Sequence, residues 1–567
     1  MKQPNMPITS FIASSLGAAG AVSAAPVAIE TPQGPVIGSE SADGQVAVFK
    51  GIPYAIPPVG KRRWTMAEPA PDWTNPRLAN QFGPQCVQGA PPASFTTPSG
   101  QEQGVLFWEP SALSSEDCLY LNVYAPRMSG TAAKAPVMVW IHGGGFVGGA
   151  GSGPFYDGTA LAKKGVVVVT INYRLGIFGF FAHPELSAES RSGTSGNYGL
   201  SDQLEALRWV QRNIAAYGGD PDNVTIFGES AGSWSVSLLM ATKKSEGLFH
   251  KAIGQSGAYF YAMPHLKEAA GGMVSAEQAG QAFASAAADG RIAALRELTA
   301  TELQAKAEAL HVLYTGHLAV VDGDLFEKPV RDVFAEGSQA KVPVMVGFNA
   351  DEGSGLSDFF VVAPVPDSPA SYEAQVAERF GDLASRWLSL YPASDLTAAV
   401  FDAYRDSEFG WRMEEWAKAA ERAGQPAYLY YFAHNPPMAD TVREMPFGNG
   451  TRRLGSYHAS EIAYVFDAFN QSDLPGIRRE DAVMATLMSD YWVAFAKSGH
   501  PNGTGRPTWK PYSDSARDYM RFAGTAQPSS GLLPGSWELH REIDQRRAAD
   551  NIPWNGGSAG LLGQAKP

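Results

Sequence analysis

The sequence predicts an α/β protein with one large mixed, mostly parallel central sheet covered by helices. Two observations lead there. Short apolar runs rich in β-branched and aromatic residues, each bounded by turn residues, recur along the chain as strands buried on both faces do. Stretches of helical periodicity lie between them, and from about residue 119 to about residue 500 no Gly/Ser linker divides the pattern. Residues 25–550 are therefore expected to form one domain whose excess length goes into insertions, followed by a disordered tail over 551–567.

Composition narrows the function classes. Hydrophobic residues at 44% and charged residues at 18% of 567 are globular values, sufficient for a large core. A net charge of −13, with no long Lys/Arg run, repels phosphate backbones, so no nucleic-acid partner is expected. No apolar stretch approaches the ~18 uninterrupted residues of a membrane span. The 60 glycines and 40 prolines follow no repeat period, which excludes collagen-like and solenoid designs.

In chain order, residues 1–24 read as a signal peptide. Lys2 precedes a small-residue apolar stretch from Phe11 to Val22, and Val22-Ser23-Ala24 stands before Ala25. A secreted or periplasmic protein is the expectation. The two cysteines, Cys86 and Cys118, flank a Pro-, Ser- and Gly-rich segment that reads as a surface loop. Closing a loop of that length would stabilise the fold by roughly 3–4 kcal/mol in an oxidising compartment.

Two hairpin-like strands are expected first, Val27–Gly38 and Gln45–Tyr54. Strands follow at Leu119–Tyr124, Val137–Ile141, Val166–Ile171, Val224–Phe227, Val342–Phe348 and Tyr428–Phe432. Helices are expected at Leu200–Tyr217, Ala231–Met240 and Asp481–Lys497. The last has Met484, Leu487, Met488, Tyr491, Trp492 and Phe495 on one packing face.

Gly228-Glu229-Ser230-Ala231-Gly232 matches G-x-S-x-G between a strand and a helix, the setting of a nucleophilic serine. The sharp turn strains the serine backbone and brings the residues two before and two after it too close for side chains. Both are glycine. A second copy of the pattern, Gly556 to Gly560, has no preceding strand and is assigned to chance.

Val137–Ile141 leads into His142-Gly143-Gly144-Gly145-Phe146-Val147-Gly148. Gly143, Gly145 and Gly148 satisfy G-x-G-x-x-G, yet no helix opens after them and no ribose-binding acid ends the next strand, so a dinucleotide site is rejected. The run suits backbone N–H groups aimed at an oxyanion. His142 is expected to be structural.

In this arrangement the acid and then the histidine follow the serine. The strand Val342–Phe348 leads to Asp351-Glu352-Gly353, and spacing does not choose between the two carboxylates. Of the histidines that follow, His500 lies in a turn and His540 in a polar terminal helix, both expected at the surface. His434, at a strand end, competes with His458, which sits in a loop leading into an apolar segment.

These residues, with Phe49 to Ala55, Ser115 to Asn122, Asn172-Tyr173-Arg174, Gly196 to Gly199, Asn349 to Gly353 and Tyr491-Trp492, resemble the type-B carboxylesterase family. This is the cholinesterase-like branch of the α/β hydrolases, and the resemblance spans about residue 27 to about residue 525. It implies an α/β-hydrolase fold with loop insertions around an active-site gorge, Ser230 as nucleophile, Glu352 as acid and His458 as base. It further implies Gly144, Gly145 and Ala231 as oxyanion-hole donors and a Cys86–Cys118 disulfide. Ala459 departs from the family's usual glycine after the histidine. The insertion before His458 is long and carries Arg443, Arg452 and Arg453, read as solvated surface charge or, alternatively, as a bias toward substrates bearing a carboxylate.

The expected reaction is hydrolysis of a small-molecule carboxylic ester through an acyl-serine, with no metal or other cofactor. Phe95, Phe107, Trp108 and Trp234 suggest aromatic walls and uncharged, apolar or aromatic esters. The rivals are a lipase or amidase with the same triad, and a non-catalytic adhesion protein on the same fold.

Overall fold

The computed structural model describes residues 25–89, 113–127, 134–310, 319–356, 365–437, 445–447, 450–452, 454–471 and 476–550, without the side chains of 445–452. The signal-peptide expectation, Phe95, Phe107, Trp108, the side chains of Arg443, Arg452 and Arg453, the second G-x-S-x-G copy and the C-terminal tail lie outside the described residues.

A thirteen-stranded sheet organises the chain. Its long strands are β1 (Pro26–Thr31), β2 (Gly34–Glu40), β3 (Val46–Pro53), β4 (Tyr120–Pro126), β5 (Ala135–Ile141), β6 (Val167–Ile171), β7 (Gly219–Glu229), β8 (Lys251–Gln255), β9 (Val344–Asn349), β10 (Ala427–Phe432), β11 (Asp518–Ala523) and β12 (Thr525–Ser530). The spatial order is β1-β2-β3-β4-β6-β5-β7-β8-β9-β10-β11-β12, and the two-residue strand Arg77–Leu78 pairs with β2. The strands from β6 to β11 run parallel, and antiparallel pairs close both edges.

The parallel strands are buried on both faces, which is why their sequences read as continuous apolar runs. One core cluster includes Val139, Ile226, Val346 and Trp416; another, on Met138, Trp140, Phe227 and Met345, takes the apolar face of the long helix near the C-terminus. In that helix Met484, Met488, Tyr491, Trp492 and Phe495 are buried as expected.

The structure corrects the sequence reading in three places. Val27–Gly38 is two strands, not one: Thr31 Oγ1 accepts the N–H groups of Gln33 and Gly34, and the chain reverses there. Strand β8 was not anticipated. Its sequence, Lys-Ala-Ile-Gly-Gln, has a single large apolar residue, yet all five residues are buried between β7 and β9. Gly254 is required there because a Cβ would lie 2.5 Å from the Trp416 ring. His540 is not a surface residue: it is 2% exposed, under Trp387 and Tyr391.

Candidate active site

Parallel strands deliver their C-terminal ends to one edge of the sheet, and the functional groups sit there. Strand β7 ends at Glu229, and helix α2 (Ala231–Ala241) begins at once. Ser230 between them adopts φ 55°, ψ −121°, a conformation that L-residues rarely take. A Cβ on Gly228 would lie 2.6 Å from Ile141 O, and one on Gly232 2.0 Å from the same atom, so sterics impose both glycines of the motif. The Ser230 N–H donates to Gln255 O at 2.8 Å, which ties the turn to β8.

The glycine loop after β5 packs directly on this turn. A Cβ on Gly143 would lie 3.2 Å from Ser230 Cβ and 2.8 Å from the Glu229 carboxylate. Gly144, Gly145 and Phe146 have φ of 99°, 62° and 62°, which curls the loop. The N–H groups of Gly144 and Gly145 have no acceptor among the described residues. Ala231 opens α2, so its N–H lacks an intrahelical acceptor. His142 stays structural: its Nδ1 lies 2.8 Å from Gly143 O, its ring stacks on Tyr173, and burial lowers it to about 4.

The end of β9 resolves the two adjacent carboxylates. Glu352, the first residue of helix α3 (Glu352–Leu356), is fully buried. Its Oε1 accepts the Asn349 N–H at 2.7 Å and its Oε2 lies 2.6 Å from His458 Nδ1. Asp351 turns the other way: its Oδ2 accepts the Ser456 N–H at 2.8 Å, and its own N–H donates to Ser456 O. Asn349 Nδ2 donates to Tyr457 O, and Ser354 Oγ to Leu454 O. The Asn-Ala-Asp-Glu-Gly segment thus fastens the loop that carries His458 and orients the imidazole.

Ser230, Glu352 and His458 therefore meet at one edge of the sheet, with the Gly144–Gly145 loop beside them. His434 does not join them. Its Nε2 binds Asp481 at 2.8 Å and its Nδ1 accepts the Gly524 N–H, so both nitrogens are occupied elsewhere.

Two carboxylates near His458 were not assigned from the sequence. His458 Nε2 lies 3.1 Å from Glu229 Oε1, and among the described residues the Ser230 hydroxyl makes no hydrogen bond. Glu461, three residues after the histidine, accepts from Asn349 Nδ2 and from Gln255 Nε2, and Gln255 Oε1 accepts the Trp492 indole N–H. Glu229 stood inside the quoted motif, but a pattern fixes only where glycine and serine must be. Nothing in the pattern says which way the variable residue points.

Burial pushes the Glu229 carboxyl well above the usual carboxylate range, and burial with Glu352 nearby raises Glu461 to about 6. Burial opposes charge on His458, but Glu229 and then Glu352 raise it, to about 9. Burial of the Glu229 side chain, 3% exposed, favours its neutral form.

Beside Ser230 lies a cluster of aromatic rings, of which Phe146, Tyr259 and Tyr261 are buried in the core. Half-buried Trp234, in the first turn of α2, packs against Phe146, Tyr259 and Tyr261 at centroid distances of 5.7, 6.0 and 5.4 Å. Cys86 and Cys118 form a disulfide.

A model of the carboxylesterase family matches residues 25–533. The chain belongs to the carboxylesterase family. It is a serine carboxylic-ester hydrolase with the α/β-hydrolase fold. A fumonisin B1 esterase of Sphingopyxis macrogoltabida is 38% identical over 510 residues, covering 87% of this chain and 86% of that protein. Carboxylesterase 1C of Mus musculus is 33% identical, covering 89% and 91%. Among solved structures, a PNB esterase is 30% identical with a TM-score of 0.73, covering 90% of this chain and 99% of that one.

Proposed function

We propose that this carboxylesterase hydrolyses uncharged esters through an acyl enzyme on Ser230. The contact between His458 Nδ1 and Glu352 Oε2 carries the reading, because it leaves Nε2 on the side of the nucleophile. The Ser230 hydroxyl attacks the carbonyl carbon while His458 Nε2 takes its proton, and Glu352 holds the Nδ1 proton and stabilises the imidazolium. The N–H groups of Gly144, Gly145 and Ala231 receive the oxyanion. His458 returns the proton to the departing alcohol, and water, deprotonated by the same nitrogen, releases the acid.

Glu229 enters this scheme as a neutral carboxylic acid. An ionised Glu229 would hold a proton on Nε2 and stop it from acting as base. A hydrogen bond between the Ser230 hydroxyl and Nε2 would then close only with substrate, as catalytic hydrogen bonds often do.

Half-buried Trp234, one helical turn from Ser230, supports apolar or aromatic acyl or alcohol groups, each Å² it buries contributing roughly 25 cal/mol. The disulfide and the composition of residues 1–24 support export to an oxidising compartment. Comparing kcat/KM for an aryl butyrate and its anilide tests the chemistry. The ester is expected to react far faster; equal values would indicate an amidase. Lengthening the acyl chain separates an esterase from a lipase.

A further inference from the structure

The helix α4 (Leu396–Arg405) does not end where it stops being α-helical. It widens into a π-helical turn, Asp406–Gly410, and continues as α5 (Trp411–Arg422). Such a turn accommodates an extra residue at a cost in hydrogen-bond geometry and recurs at functional sites. All five of its residues are buried. Two of its contacts reach the active site.

The first is Phe409, whose ring centroid lies 5.0 Å from that of the His458 imidazole with the planes inclined at 34°. The second runs through Arg405, the residue before the turn. Its Nη1 donates to Ala350 O at 3.2 Å, two residues before Glu352. On the same side, α3 packs so closely on α4 that a Cβ on Gly353 would lie 2.6 Å from the Phe401 ring. One helix thus touches both the imidazole and the segment that orients it.

We propose that Phe409 is a positioning residue that holds the plane of the His458 ring, and that Asp406 is the anchor of the turn presenting it. This rests on His458 being the base. Asp406 is fixed from three directions. Its Oδ1 accepts Arg405 Nε at 2.7 Å, and its Oδ2 accepts the Tyr391 and Ser536 hydroxyls, each at 2.8 Å. Tyr391 in turn meets His540 Nε2 at 2.8 Å on helix α7 (Ser536–Ala549). Burial would raise the Asp406 carboxyl, but Arg405 above all, with His540 and the Ser536 hydroxyl, brings it below its ordinary value.

The chemical benefit lies in the charged intermediate. When Nε2 takes the serine proton the ring becomes a cation, and an aromatic face within about 6 Å attracts a cation. The groups facing that cation are Glu229 from β7, Glu352 from α3, Glu461 beyond the histidine and Phe409 from the turn. Glu408, beside Phe409, is engaged instead with Arg412 and Tyr261.

Kinetics on wild type, Phe409→Leu, Phe409→Tyr and Ser536→Ala, with an aryl ester across pH, test the proposal. Phe409→Leu keeps apolar bulk but loses the aromatic face. It should lower kcat by roughly tenfold to a hundredfold with KM within about twofold, and move the acid limb of kcat/KM to lower pH. Phe409→Tyr should recover most of kcat. Ser536→Ala, which removes one donor to the anchor on a distant helix, should lower kcat about threefold at unchanged KM.

An active wild type with a Phe409→Leu variant unchanged in kcat, or altered only in KM with the same pH profile, overturns the proposal. If Phe409→Leu does not fold, Ser536→Ala decides: an unaltered kcat overturns the proposal equally. A wild type without esterase activity, or a pH profile without an acid limb, overturns the assignment of His458 and this inference with it.

Discussion

Among the described residues two histidines are hydrogen-bonded to fully buried carboxylates, and only one lies beside the Ser230 turn. His458 meets Glu352 through Nδ1 at 2.6 Å; His434 meets Asp481 through Nε2 at 2.8 Å. The difference lies in the remaining nitrogen. His434 Nδ1 accepts the Gly524 N–H, so its proton must sit on Nε2 and no lone pair is left over. Asp481 is further held by Arg478 and by the Tyr464 hydroxyl, and His434 first, then these donors, bring it below the usual carboxylate range despite burial. His458 has the opposite tautomer: Nδ1 carries the proton, and Nε2 faces the nucleophile turn. A histidine–acid pair is therefore a structural joint by default, and the second nitrogen decides whether it can do chemistry.

Exchanging the acid in each pair breaks the comparison most sharply. Glu352→Gln should keep the fold and lower kcat by about a thousandfold or more, because the amide can donate to Nδ1 and favours the wrong tautomer. Asp481→Asn should leave kcat within a few-fold yet destabilise by roughly 3 kcal/mol, since Arg478 loses its buried partner. Steady-state kinetics and thermal melts on both variants check this. Asp351→Asn, which alters only the fastening of the 454–458 loop, should cost about tenfold or less in kcat.

The next effect concerns pH. His458 is raised by its carboxylates, whereas burial lowers His142 and His540 to about 4. The signs differ accordingly. As the base His458 must be neutral, so kcat/KM should fall on acidification through an apparent pKa above 6.5. Glu229→Gln should leave that limb within a few tenths of a unit, as expected if Glu229 is already neutral; a fall of a full unit would mean it is ionised. For the two lowered histidines, the neutral form favours the folded state. Their contribution is complete above about 6.5 and is lost as pH falls toward 4, on the order of 3 kcal/mol each, seen as a drop in Tm over that range.

What the sequence revealed follows from where sterics are local. The Gly228–Gly232 turn and the Gly143–Gly145 loop are legible because backbone atoms approach within a few ångströms, and only glycine permits that. Strands β5, β6, β7, β9 and β10 are legible because both faces are buried. Strand β8 is not, since Lys251, Gly254 and Gln255 are dictated by Asn223, Trp416 and Glu461, neighbours far away along the chain. The choice of Glu352 over Asp351 needed the loop around Ser456, and Phe409 needed a π-turn that no periodicity announces.

Ala459 gives the smallest test. It sits at φ 71° where the resembling family usually has glycine. Relief of that strain by Ala459→Gly, roughly 1–2 kcal/mol, is offset by lost methyl burial and by glycine's greater entropy, about 0.8 and 0.5–1 kcal/mol. A melt should therefore move by the equivalent of less than about 1 kcal/mol.

The central claim is that Ser230 is the nucleophile activated by His458, whose second nitrogen faces the turn that carries Ser230 and Glu229. Wild type, Ser230→Ala and His434→Gln, each treated with an aryl organophosphonate and analysed by peptide mass spectrometry, test it directly. The account predicts one phosphonyl group on the Ser230 peptide in wild type and His434→Gln, and none in Ser230→Ala; a modification that persists in Ser230→Ala, or that vanishes in a folded His434→Gln, would contradict it.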